Sequence, residues 1–339
     1  MSISLADHRQ SGAPMARPVP AYLAFHSFDD AMNSISKVFS NPTSIESIQA
    51  AVSVQLFLVS MLRHNAASRL GGAIVRMAFQ LGLHRCPVRF SGFSAQDASL
   101  RKRLFWTIYC LDRYICQSIG LPLAIRDDDV DVCYAGQERH IQGGPNLPDM
   151  TPVDSTTTAY QPPGPDQRLH LLDFLTRHAE IRGQIMELRN KSISHSQADN
   201  DRAVAIDAEI SKWWNEVDEW LDSHNSSSLF VTSSHKTALA ILRYESIIAL
   251  KRPILATPSQ NSAYRAALQD CVNASRSVIS ILHKALKRIT LSELGCDASS
   301  IQHAIPLNWP SYTWVVWMSA FMIIHAANER EFPAELAIR

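Results

Sequence analysis

The chain has 339 residues and 46% of them are apolar, enough for one large helical domain or two smaller ones with a sizeable core. Lysine plus arginine number 32 and aspartate plus glutamate 32, which excludes a protein that holds nucleic acid mainly through its own overall positive field. Only 12 glycines and little period-2 alternation exclude most sandwiches and barrels and point to an all-α chain.

In chain order, residues 1–27 read as a disordered or partly helical tail, polar and broken by proline. Its opening lacks the basic-then-apolar layout of a signal peptide. Residues 28–140 form the first helical half. One or two helices are expected within 22–39. Thr43 and Glu46 have capping-box spacing. Ile45, Ile48, Val52, Leu56 and Val59 then repeat at helical intervals, which predicts a helix to about Arg63. Leu70, Ile74, Met77, Ala78 and Leu81 line a second helix that closes at Gly82. His84 and Cys86 invite a metal reading, but two ligands are too few for zinc, and His84 reads as a helix C-cap.

Leu100, Leu104, Ile108, Leu111, Ile115 and Ile119 put six aliphatic side chains on one helical face. Ser94 and Asp97 mark its start near Ala95, and Gly120 and Pro122 stop it. Phe105, Trp106, Tyr109 and Tyr114 widen the apolar face, so cover from more than one side is expected. Arg101, Lys102 and Arg103 crowd the first turns, where the helix dipole disfavours cations. A solvated or ion-paired helix start is the reading preferred there over a nucleic-acid or import signal. The acidic run Asp127, Asp128, Asp129 and Asp131 follows, with Arg113 as its first-choice partner and Arg101 and Arg103 out of its reach. Asp127, Asp129, Asp131 and Glu138 match calcium-loop positions, but Val132 replaces the glycine that makes the turn.

Residues 141–167 carry Gly143, Gly144 and prolines 145, 148, 152, 162, 163 and 165, and read as a loop without its own core. Residues 168–339 form the second helical half. Leu171, Leu175, His178, Ile181, Ile185 and Leu188 share one face. Ala203, Ile206, Ile210, Trp213, Val217 and Trp220 share another, with Trp213 and Trp214 as core and rim. Further helices are expected over about 236–250 and 262–289, the latter with Cys271, Ala274, Val278 and Ile281 inward. The apolar stretch Trp309–Asn328 holds a proline, serines and a histidine, and reads as a buried core helix rather than a membrane span.

The run R-x-R-L-F-W-x-x-Y-x-L-D-R-Y, then G-x-P-x-A-I-R-D-x-D-x-D-V, resembles the regulatory middle homology domain of fungal zinc-cluster transcription factors. Its carriers include Arg103, Phe105, Trp106, Asp112, Arg113, Gly120, Pro122, Asp127, Asp129 and Asp131. Leu121 stands where the family often has arginine, and Cys133 where it often has proline. Arg69–Arg85 and the Arg-Pro helix break within Tyr244–Leu255 resemble the same family. The resemblance implies an all-α multi-helix bundle or superhelical array, two helical halves joined by a Pro-rich loop. It also implies a nuclear regulator of transcription that meets DNA only indirectly, through a six-cysteine zinc cluster built on C-x-x-C-x6-C repeats.

That cluster is not in this sequence. The six cysteines are Cys86, Cys110, Cys116, Cys133, Cys271 and Cys296, none in a C-x-x-C pair, and they read as reduced thiols. No cofactor, metal, catalytic or DNA-contacting residue is assigned. No nucleophile elbow, zincin, P-loop or dinucleotide motif occurs, so the chain is not expected to be an enzyme. The sequence enters the family's pattern already under way, as a shortened gene product would. Expected partners are the transcription machinery or a full-length factor, a second copy of the chain, and a small-molecule effector, with no membrane. The alternative is a stand-alone helical protein that senses a ligand or binds a partner.

Overall fold

The computed structural model describes residues 42–90, 92–134, 139–140, 167–191, 197–223, 233–256, 261–293 and 312–329, with five helical residues between 29 and 40. The expected tail and the loop over 141–166 lie outside the described residues. Among the described residues there are eight α-helices and no strand. They are α1 (Ile45–Ser60), α2 (His64–Gln80), α3 (Ala95–Ile119), α4 (Gln167–Lys191), α5 (Gln197–Ser223), α6 (Ser233–Lys251), α7 (Ser262–Glu293) and α8 (Thr313–Asn328).

The cap of α1 is one residue later than its sequence suggests. Ser44 and Ser47 form the reciprocal box, because the Thr43 hydroxyl is spent on Gln80 Oε1, 3.2 Å away. The helix ends at Ser60, three residues short of the expected Arg63. A turn with Leu62 at φ 58° leads into α2. Helix α2 closes with Gly82 at φ 67°, a left-handed position that glycine takes without a Cβ clash.

Helix α3 runs over the expected residues. Ser94 Oγ accepts the Asp97 N–H, and Gly120 at φ 73° ends the helix. Only half of a capping box forms, because the Asp97 carboxylate takes the Ser94 hydroxyl rather than its amide. Phe105, Trp106, Ile108, Tyr109, Leu111, Tyr114 and Ile115 are all buried in one core with α1, α2 and Ala179 of α4. The helix is therefore covered on several sides. Arg101 near its start donates to the Leu81 carbonyl at 3.2 Å and stacks on Phe93, so a neighbouring helix end answers the dipole conflict.

Helix α4 departs from the single face expected of it. Phe174, Thr176, His178, Ala179, Ile181, Arg182, Ile185 and Met186 are all buried. The cause is position: Ala179 joins the core of the first half, while Phe174, Ile181 and Ile185 join that of α5 and α6. In α5, Trp213 is in the core and Trp214 only partly buried, as core and rim. Helix α6 gives way at Arg252–Ala256 to a 3-10 turn. Helix α8 is buried on one side only, by Val315, Ser319, Met322, Ile323 and Ala326. Trp317, Phe321 and Ile324 on its other face are exposed, so the expected core helix is a flank instead. No helix among the described residues is long and apolar enough to cross a membrane.

Candidate functional site: a buried ionic seam and a neighbouring cavity

Within the 103–131 stretch, Asp112 and Asp127 gather around Arg113, the largest wholly buried side chain among the described residues. Its Nη2 donates to Asp127 Oδ1 at 2.6 Å and its Nη1 to Asp112 Oδ2 at 2.9 Å. The guanidinium lies 3.7 Å from the Tyr109 ring centroid, and Tyr109 donates its own hydroxyl to Asp127 Oδ1 at 2.6 Å. Asp112 also accepts the backbone N–H groups of Ala124 and Ile125, which ties the loop after Gly120 to α3. Burial pushes the Asp112 carboxyl up, against the pull of Arg113 and these amides. Arg113 is pulled down by burial but ends above its ordinary value, because Tyr109, Asp127 and Asp112 surround it. Gly183 of α4 packs beside the cluster, where a Cβ would meet Arg113 Nε at 3.4 Å, an ordinary contact.

The remaining residues of the stretch take other places. Phe105 is core, and Trp106 stacks on Tyr134 while donating Nε1–H to the Cys133 carbonyl at 3.2 Å. Pro122 accepts the Cys116 thiol. Arg103 is exposed and bonds the Ser99 carbonyl on its own helix. Asp128 faces Arg126 in open solvent. Asp129 is exposed and has no ion pair among the described residues. Asp131 pairs with Arg89 and with His140 Nε2. The four aspartates thus split between several partners.

A second buried layer was not visible in sequence. Arg182 of α4 lies 3.0 Å from Glu245 of α6, which also accepts from Gln117 of α3 at 2.9 Å. The Arg182 pair is an ion contact without hydrogen-bond direction, since its Nη2 has no bonded partner. Burial raises Glu245 despite Arg182 and Gln117. One turn away, His178 Nε2 lies 3.1 Å from the Leu242 carbonyl and 2.8 Å from Ser246 Oγ. The carbonyl can only accept, so Nε2 carries the proton. Burial, with Arg182 nearby, holds His178 well below its ordinary value and neutral.

One to two turns further along α4 and α6 opens a cavity of about 790 Å³. Its apolar walls include Leu188, Leu250, Leu255, Phe321 and Met322. Arg189, Arg252 and Asp199 also line it. Burial and the neighbouring Arg189 both lower Arg252, whose Nη1 donates to the weak acceptor Met318 Sδ at 3.3 Å. No ion pair to either guanidinium is present among the described residues.

The described cysteines do not fit a binuclear zinc cluster: none pairs as C-x-x-C, and Cys116 and Cys271 sit singly in the core. Cys86 does meet Cys133 and His140, three residues that were not grouped from the sequence. His84, the partner that sequence suggested for Cys86, instead packs its ring on Phe79.

Among the described residues the fold is an all-α array in which an arginine ties a loop to α3 and two guanidiniums line a cavity. The chain belongs to the fungal specific transcription factor domain family, whose model matches residues 4–226. It is 29% identical over 328 residues to "Probable transcription factor FUP6" of Fusarium proliferatum, covering 85% of this chain and 44% of that protein. It is 26% identical over 260 residues to "Activator of stress genes 1" of Saccharomyces cerevisiae, covering 73% and 25%. It is 26% identical over 216 residues to "Transcriptional activator protein acu-15" of Neurospora crassa, covering 62% and 22%. The chain spans less than half the length of these relatives. No solved structure matches it.

Proposed function

We propose that the chain is the effector-responsive part of a nuclear transcription regulator and is not an enzyme. The observation that carries this reading is the cavity lined by Arg189 and Arg252. Apolar walls with a few convergent polar groups are the usual make-up of a small-molecule site. Two guanidiniums with no ion pair among the described residues outnumber the one lining carboxylate, Asp199, and favour an anionic occupant, and the walls favour one with an apolar body. The seam of Arg182, Glu245 and His178 sits on the same two helices, so an occupant would press on the contact between α4 and α6. The partners in this reading are the transcription machinery and a full-length factor that carries the DNA-contacting module. Zero net charge supports indirect DNA contact.

Two measurements test it. Thermal melting of the full chain with straight-chain carboxylates and their matching alcohols should show stabilisation by the acids alone, lost in Arg189→Gln/Arg252→Gln. Fused to an unrelated DNA-binding domain in a fungal host, the chain should change reporter output when the same acids are added. Binding without any reporter response would favour a stand-alone sensor. Stabilisation by acids and alcohols alike would remove the charged-cavity reading. A gel shift of the chain alone showing sequence-selective binding at physiological salt would overturn indirect DNA contact.

A further inference from the structure

Cys86, Cys133 and His140 converge beyond the end of α2, with one ligand-type atom from each lying within 4.8 Å of the others. Three features bring them there. An isolated parallel bridge, Arg85 to Asp131, lays the two segments side by side, and the Asp131 amide donates to the His84 carbonyl at 3.0 Å. Trp106 pins the Cys133 carbonyl to α3. The Arg139 N–H donates to Cys133 Sγ at 3.2 Å, which sets His140 beside the thiol.

We propose that Cys86, Cys133 and His140 bind one zinc-class divalent ion, with Asp131 as the positioning residue for His140. This revises the expectation that no metal residue is present. Two sulfurs and an imidazole select zinc over the hard cations calcium and magnesium. Tetrahedral zinc, with bonds of about 2.3 Å to sulfur and 2.0 Å to nitrogen, sets its ligand atoms roughly 3.5–3.8 Å apart. Side-chain rotation closes the difference from the present spacing.

The surroundings are those of a ligand set rather than of stray thiols. A metal-bound imidazole places its other nitrogen on an acceptor. His140 Nε2 lies 2.9 Å from Asp131 Oδ1, which leaves Nδ1 for the ion. Arg89 holds the second Asp131 oxygen. Burial and the neighbouring Cys86 push the Cys133 thiol up, and the Arg139 backbone N–H acts against that in favour of the thiolate. Charge also closes: two thiolates balance a divalent ion, and Arg89 balances Asp131, so the filled site adds no net charge to a buried place. Each ion bound displaces two thiol protons to solvent, so affinity falls as pH is lowered. An ion can enter through the cavity of about 270 Å³ lined by Asp131, Cys133, Arg139 and His140, which also leaves room for water as a fourth ligand.

The test is cobalt titration of the full, reduced, chelator-treated chain. Thiolate-to-cobalt charge transfer and tetrahedral d–d bands should saturate at about one ion per chain and vanish on adding zinc. Cys86→Ser and Cys133→Ser should each abolish the bands. Cys110→Ser should keep them. Asp131→Asn should weaken binding about 10- to 100-fold. His140→Ala, at a partly exposed position with both thiols left in place, should weaken binding while the apo chain melts as the wild type does. Absence of saturable bands would overturn the proposal, as would bands that survive Cys86→Ser/Cys133→Ser or follow Cys110. A reduced preparation that still carries a Cys86–Cys133 disulfide and takes up no metal would also overturn it, in favour of a redox pair.

Discussion

The Arg113 cluster makes a quantitative claim about which aspartate matters. Arg113→Met keeps most of the stem volume but removes the cation from a site with no exposure, leaving Asp112 almost buried with only two backbone N–H groups and the Cys116 thiol as partners. Breaking a buried pair this way costs about 3–5 kcal/mol. Asp127→Asn is milder, because the Asp127 side chain is 39% exposed and water partly replaces it. The expected cost is about 1–2 kcal/mol, between the exposed and buried limits. In a double-mutant cycle read by urea unfolding, Arg113 and Asp127 should couple by about 1–2 kcal/mol, and Arg113 and Asp129 by less than about 0.5 kcal/mol. Coupling to Asp129 as large as to Asp127 would refute the assignment. So would coupling to Asp127 below about 0.5 kcal/mol.

Trp106→Ala should cost roughly 3–5 kcal/mol, since the ring is buried against Phe105, Tyr109 and Tyr134; an unchanged melting temperature would make it a surface platform instead. Gly120→Ala should destabilise by about 1–2 kcal/mol because φ is 73° there, whereas Gly72→Ala, in a helix with open space around it, should stabilise by up to about 1 kcal/mol. His178 is held neutral in the fold, so below about pH 6.5 the unfolded chain gains a proton that the native chain does not. Stability should then fall by up to about 1.4 kcal/mol per pH unit. His178→Gln should flatten that slope relative to wild type. Burial also lowers His64 and His84, but both remain in the variant, so equal slopes would place the effect elsewhere.

Helix α3 was legible to the residue because its signals are local: a serine that caps, a repeat of aliphatic residues, a glycine that stops. The cap of α1 slipped by one because Thr43 and Ser44 carry the same chemistry. Which of them caps depends on Gln80, 37 positions away, taking the Thr43 hydroxyl. Periodicity found one face of α4, yet the helix lies between two cores, and polar Thr176, His178 and Arg182 are buried with the apolar residues. A pattern of apolar residues cannot announce a buried arginine. For α8 the opposite holds: composition suggested burial all round, but packing against α7 covers one side and leaves Trp317 exposed.

Distance along the chain separates the parts of the site. Arg113 and Asp127 are 14 residues apart, and a helix end followed by a turn is enough to bring them together. Gln117 and Glu245 are 128 apart, and neither has a spacing that marks it. Their meeting requires α4 to have docked between α3 and α6. That docking buries charge, and buried charge contributes little net stability against an apolar core of the same shape. Its stronger effect is on register: Arg182 reaches Glu245, and His178 reaches the Leu242 carbonyl, at one alignment of α4 on α6. A slip of one turn would strand all of them. Helices α4 and α6 are thereby held in one register, and Gln117 ties α3 to them through Glu245. An occupant of the cavity beside Arg252 would have to work against that alignment or through it.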